Sequence, residues 1–413
     1  MVSRRNFVTG GACLCAVGAH GPVSARVAPG SMSSLVATGY RPADPDEKGI
    51  WQQVTRLEEE IASSNLLVNA PAMHDYTVAI IQRLLGDRAR DVRVYLVNDP
   101  DFNASMAMNG MMIVHTGLLA RVRNEAQYAA VLGHEAGHYL RRHQVARWRD
   151  HKTKTGIMAF VSAGTNVLAG AATLAGGNGG SWIDLANSIN TSLAASIFSF
   201  SREQESEADA YGLRLIEEAG YAPEAAGAIW LQLDEERRAS ATARHKRYRD
   251  TSRSIVSTHP PGDVRMLDLA TSAREMQAIA VSGRAYADGR DAWRQAIAPL
   301  RTALLDEQIK LNDPGASLYL IHALAKDGWD GTLRHCEGEV YSLRDEPGDA
   351  AKAATAYAMA VEQADTPPEA WRAHGYALLK SARGEDGKRA LARYLELKPG
   401  ARDAAMVRFS LNQ

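Results

Sequence analysis

The chain has 413 residues, a formal net charge of −1, 46% hydrophobic residues and 23% charged residues. Such a composition fits a globular protein of two or three domains, and it excludes the one-signed charge field expected of a nucleic-acid or anionic-membrane binder. Cys13 and Cys15 sit in the N-terminal segment and Cys336 is alone, so once that segment is removed neither an intrachain disulfide nor a cysteine metal cluster can form.

Residues 1–25 read as an export signal. Ser3-Arg4-Arg5-Asn6-Phe7 matches the start of a twin-arginine signal, a weakly apolar core runs from Val8 to Val17, and Val23-Ser24-Ala25 offers a small-x-small cleavage site. The alternative is a general secretory signal that carries two arginines. Either route places the mature chain in the periplasm, cleaved near Ala25. Residues 26–46, rich in Gly, Ser, Ala and Pro, read as a flexible tether.

Helical patterns follow at about 48–63 and 71–86, and Val92 to Val97 alternates as a half-buried strand does. Asn109-Gly110 separates two apolar runs, Ala104–Met108 and Met111–Val114, which is a strong hairpin signal. These runs predict a small antiparallel sheet just before the next helix. Its last strand, Met111-Met112-Ile113-Val114, is either a free edge that takes an extended substrate as an added strand or a covered one.

A helix predicted from about Asn124 to His143 carries His134-Glu135-Ala136-Gly137-His138. Histidines four apart share one helix face, which suits two imidazole ligands of one metal, and the intervening Glu135 can reach a water there. Small residues, among them Ala126, Ala129, Gly133 and Gly137, keep this helix thin enough for a second to pack closely. The basic run from Arg141 to Lys154 reads as a solvated surface, with a docking face for an acidic partner as the alternative. From Thr155 to Ile183 no residue is charged. Gly, Ala, Ser and Asn dominate it, which favours a buried or lid-forming helical pair over a membrane span and makes any membrane association peripheral.

Ser201 to Glu218 is the next strong helix, with Glu203, Glu205, Glu207 and Asp209 packed into it. Glu205 and Asp209 share one face, and Glu203 and Glu207 another. One face can therefore give a carboxylate to a metal and a second carboxylate to the N–H of a ligating histidine. His134, His138 and Glu205 then make three ligands, with a fourth position left for water, as in catalytic zinc sites. Glu135 would move the proton of the attacking water to the leaving amine. A helical segment at about 223–238 follows, then a basic linker and Thr258-His259-Pro260-Pro261, where spacing alone makes His259 a surface loop residue. From about 285 the chain becomes Ala-rich amphipathic helix. Trp371, Gly375 and Pro399 occupy tetratricopeptide-like positions, against the alternative of a generic helical bundle.

On the pair His134-Glu135-x-x-His138 and Glu205-x-x-x-Asp209, set within Ser201-Arg202-Glu203-Gln204-Glu205-Ser206-Glu207-Ala208-Asp209-Ala210-Tyr211-Gly212, the sequence resembles the HtpX-like and CaaX-prenyl-protease-like zinc metallopeptidases, in their soluble periplasmic branch. The resemblance covers about 48–272 and extends to the tetratricopeptide tail. It implies one zinc ion per chain on His134, His138 and Glu205, Glu135 as catalytic residue, His259 as a regulatory or fourth ligand that keeps the enzyme latent, and an arginine of less defined role at Arg265. The expected architecture is α+β and mainly helical: a zincin-like metallopeptidase domain at 47–275, then a helical tetratricopeptide-like repeat domain at 285–413. The implied function is zinc-dependent endopeptidase action in quality control or assembly of outer-membrane and periplasmic proteins, with polypeptide substrates and a protein partner on the repeats. The alternative is a chaperone-like scaffold that acts through its repeats while the peptidase is latent.

Overall fold

The computed structural model describes residues 35–154, 200–248, 269–274, 285–381 and 383–412. The expected export signal, the uncharged stretch 155–183, His259 and Arg265 lie outside the described residues.

The first helix, α1 (Pro45–Ser63), opens on Asp44, whose side chain accepts from the Glu47 N–H, and Pro45 takes a first-turn position where its missing donor costs nothing. Its buried residues Ile50, Val54, Leu57 and Ile61 repeat at helical spacing. Helix α2 (Pro71–Leu85) also opens on proline. Strands β1 (Arg93–Val97), β2 (Ala104–Met106) and β3 (Met111–His115) follow. Next come α3 (Thr116–Arg121), α4 (Glu125–Leu140), α5 (His143–Lys154), α6 (Arg202–Glu218) and α7 (Ala225–Ala243).

The sheet is mixed, not antiparallel. Strand order is β1-β3-β2, with β1 parallel and β2 antiparallel to β3. The Asn109-Gly110 hairpin forms, with Ser105 opposite Ile113 and Gly110 at φ 90°. The segment after β1 crosses over and places β2 on the far side of β3, which makes β3 the central strand. Met111, Met112, Ile113 and Val114 are therefore not a free edge, and the expectation that they take up substrate is corrected. The reason lies in their burial. Met111 and Ile113 pack in the cluster built on α1, while Met112 and Val114 pack in the cluster that holds α2 and α4. A strand apolar on both faces belongs inside a sheet. The two edges are β1, which an isolated bridge from Leu67 to Val97 partly covers, and β2. Asn103 O and Ala107 N bond to β3, so the main-chain groups of Ala104 and Met106 point away from it. There Met106 O accepts from Gln144 Nε2 at 2.8 Å.

From residue 285 on, eight further α-helices are described: α8 (Arg290–Ile297), α9 (Arg301–Lys310), α10 (Pro314–Leu324), α11 (Gly331–Arg344), α12 (Asp349–Val361), α13 (Pro368–Lys380), α14 (Gly384–Leu397) and α15 (Ala404–Leu411). The core does not stop where they begin. Trp293, Ile297, Leu305, Leu320 and Cys336 belong to the same buried cluster as α4. Trp293 Nε1 donates to Val122 O at 2.9 Å. Arg121 clamps Glu236 of α7 at 2.7 Å and Gln308 of α9 at 2.6 Å. Farther on, α11 packs on α12 and α13 on α14, and a smaller cluster forms around Leu391, Tyr394 and Val407. Among the described residues no helix is long and apolar enough to cross a membrane.

Candidate metal centre

The site is built where α4 and α6 cross. Asn124 caps α4 by accepting from Gln127 N, and Ser201 and Gln204 form a reciprocal capping box on α6. Every residue of α4 is buried, so the helix runs through the core with its polar motif inside it. Glycine sets the distance between the two helices. A Cβ on Gly212 would lie 2.9 Å from His134 N and 3.0 Å from His134 Cα, and one on Gly137 would lie 2.9 Å from Ala208 O. The small residues at these positions let the backbones meet, and that brings Glu205 over the motif.

His134, His138 and Glu205 converge, each offering a ligand atom within 4.8 Å of the others. His134 Nε2 and His138 Nε2 are 3.1 Å apart. Glu205 places one carboxylate oxygen 3.6 Å from the first and the other 3.5 Å from the second. A tetrahedral ion with nitrogen and oxygen ligands at about 2.0–2.1 Å holds those atoms about 3.3–3.4 Å apart. The two imidazole nitrogens, 3.1 Å apart, each face a different oxygen of Glu205, at 3.6 and 3.5 Å, and this gathered set of two nitrogens and a carboxylate suits a divalent metal of the zinc type. Glu135, between the two histidines, is 1% exposed.

The outer nitrogens of both imidazoles are engaged. His134 Nδ1 lies 2.9 Å from Asp209 Oδ1. His138 Nδ1 lies 2.9 Å from His143 Nδ1, and His143 Nε2 lies 2.9 Å from Glu207 Oε2. Arg141 Nη2 reaches Glu207 Oε1 at 2.6 Å. Burial holds His143 below the ordinary imidazole pKa range. Phe200 stacks on His138, with ring centroids 3.7 Å apart.

The structure thus brings together His134, Glu135, His138, Glu205 and Asp209. It sets Met111–Val114 in the middle of the sheet, and His259 and Arg265 lie outside the described residues. Sequence reasoning missed His143, Glu207 and Phe200. A continuous helix to His143 was expected, whereas α4 ends at Leu140 and Arg142 takes a left-handed backbone at φ 55°. Glu207 was legible only as a member of the other face of α6.

Comparison with known proteins agrees with this geometry. Residues 72–273 match the profile of peptidase family M48. The beta-barrel assembly-enhancing protease of Escherichia coli (strain K12) is 26% identical over 230 residues, which are 54% of this chain and 43% of that protein. The protein of the same name from Yersinia pestis is 26% identical over 275 residues, 60% of this chain and 53% of its own. The mitochondrial metalloendopeptidase OMA1 of Arabidopsis thaliana is 31% identical over 177 residues, 43% of this chain and 30% of its own. The chain thus spans less than two thirds of the length of each of these relatives. Residues 72–273, which contain His134, Glu135, His138 and Glu205, are thus a peptidase family M48 domain.

Proposed function

We propose that the chain is a zinc metalloendopeptidase of the bacterial cell envelope. The observation that carries this reading is the buried triangle of His134 Nε2, His138 Nε2 and Glu205, with Glu135 on the same helix turn. Zinc held there supplies a Lewis acid that lowers the pKa of a water and polarises the peptide carbonyl. Glu135 takes the proton of the attacking water and passes it to the leaving amine. Asp209 orients His134 through its Nδ1–H. The enclosure of α4 in the core keeps bulk water from these groups, which strengthens each charge interaction.

The relatives' name, with the twin-arginine-like N-terminus, supports a periplasmic role in assembly or quality control of β-barrel proteins. Helices α11 to α14, packed in pairs, support the repeat reading and a protein partner there. His259 stays the candidate fourth ligand that would keep the site latent.

The test is hydrolysis of an unfolded polypeptide such as casein by the zinc-loaded full chain. Glu135→Gln should retain one zinc per chain and lose about 10²–10⁴-fold in rate. A variant that binds zinc and cleaves as fast as the wild type would remove Glu135 from the chemistry. Full rescue of a deletion phenotype by Glu135→Gln would instead favour the scaffold reading, in which the repeats do the main work.

A further inference from the structure

His143 lies five residues beyond His138. On a continuous helix that spacing turns the two side chains about 140° apart. The helix breaks between them. Arg142 takes φ 55° and α5 starts at His143. The break is fastened from outside: Arg142 Nη2 bonds the carboxylate of Glu47, which is 1% exposed, and also donates to Tyr40 Oη at 2.8 Å. Arg149 reaches the second oxygen of Glu47 at 3.2 Å. The break carries the imidazole of His143, itself buried, against His138.

The contacts then assign the protons. Glu207 Oε2, an acceptor, lies 2.9 Å from His143 Nε2, so that nitrogen carries a proton. His138 turns its Nε2 to the place where the ligand atoms of His134 and Glu205 meet, so a ligating His138 carries its proton on Nδ1 and donates to His143 Nδ1, 2.9 Å away. Arg141, at 2.6 Å from the other oxygen of Glu207, holds that carboxylate in place.

We propose that His143 and Glu207 are positioning residues for the metal. The chain Glu207–His143–His138 fixes the tautomer and ring orientation of one zinc ligand, as Asp209 does for His134. The two ligand histidines are thus supported by different devices, a direct carboxylate for one and an imidazole relay for the other. Phe200, stacked on His138, limits the remaining rotation of its ring. This inference rests on the metallopeptidase reading above.

The test compares the full chain with His143→Ala, His143→Gln, Glu207→Ala and the combined His143→Ala/Glu207→Ala variant. Zinc affinity is read by chelator competition, the cobalt(II)-substituted form by its absorption spectrum, and fold by melting of the metal-free protein. The loss expected for His143→Ala is about 10–100-fold in zinc affinity with a changed cobalt spectrum, since loss of an outer-shell partner of a metal ligand has that effect. His143→Gln should recover part of it, because its side-chain oxygen can accept from His138 Nδ1. Glu207→Ala should lose less than His143→Ala, and the combined variant should be no worse than His143→Ala. Equal zinc affinity in wild type and His143→Ala, or additive losses in the combined variant, would overturn the proposal. Should His143→Ala fail to fold, Glu207→Ala decides, because Glu207 is partly exposed: unchanged affinity and cobalt spectrum there overturn it. A wild type that binds no zinc would refute the metallopeptidase reading and this inference with it.

Discussion

Gly212→Ala tests whether backbone approach, more than the ligands themselves, makes the site. The new Cβ would sit 2.9 Å from His134 N, 3.0 Å from His134 Cα and 3.1 Å from Gly133 C. All three are backbone atoms of α4, so no side chain can rotate away to make room. Restoring ordinary contact needs the helices to part by roughly 0.5–1 Å, whereas metal–ligand distances tolerate only about 0.2 Å. Overpacking of this kind costs about 1–3 kcal/mol, of which the better helix propensity of alanine returns about 0.5–1 kcal/mol. The metal-free protein should therefore melt lower, and zinc affinity should fall at least about tenfold, equivalent to about 1.4 kcal/mol, because Glu205 rides on the displaced helix. Gly49→Ala, with nothing within 4 Å of its Cβ, is the control, and it should be neutral or stabilising. Chelator competition and thermal melting decide. A Gly212→Ala protein with wild-type zinc affinity and melting temperature would refute the claim that helix separation sets the ligand triangle.

Arg121→Ala should cost about 3–5 kcal/mol in urea unfolding, because it strands the buried Glu236 carboxylate; a loss below 1 kcal/mol would show that this junction with α7 and α9 is not under load. Trp293→Ala, which removes a 2% exposed ring and its bond to Val122 O, should cost about 3–5 kcal/mol and lower the stability of the peptidase part and the following helices together. Independent unfolding transitions in that variant's wild-type parent would contradict the continuous core. Gln144→Met removes the donor that covers Met106 O on the outer edge of β2. If extended substrates add to that edge, KM for an unfolded polypeptide should fall with kcat nearly unchanged, and an unchanged KM would place substrate elsewhere.

Local chemistry is what the sequence expressed most clearly. Pro71 and Ser201 open helices where periodicity places them, whereas α1 starts at Pro45, inside the stretch expected to be a tether, because Asp44 caps it. The spacing of His134 to His138 and of Glu205 to Asp209 encodes faces, because it is the helical period itself. Sheet topology is a different kind of information. Asn109-Gly110 specifies that β2 and β3 pair, but not on which side of β3 the strand β1 lies. The unbroken apolar run Met111-Met112-Ile113-Val114 did hold a clue, since a strand buried on both faces is central.

His143 was illegible for a related reason. A periodicity argument assumes an unbroken helix, and under that assumption His143 points away from His138. What turns it back is a left-handed residue at Arg142, a conformation that nothing in Arg142 itself favours. The cause is tertiary: Glu47, almost a hundred positions earlier in the chain, is buried at the end of α4 and binds Arg142 and Arg149 together. The same carboxylate that ends the helix thereby determines where His143 can reach. Substituting Glu47 should consequently disturb the His138–His143 contact, although Glu47 touches neither ring. A motif read from spacing finds the atoms that bind; the groups that hold those atoms still are placed by contacts distant in sequence, and only the fold reveals them.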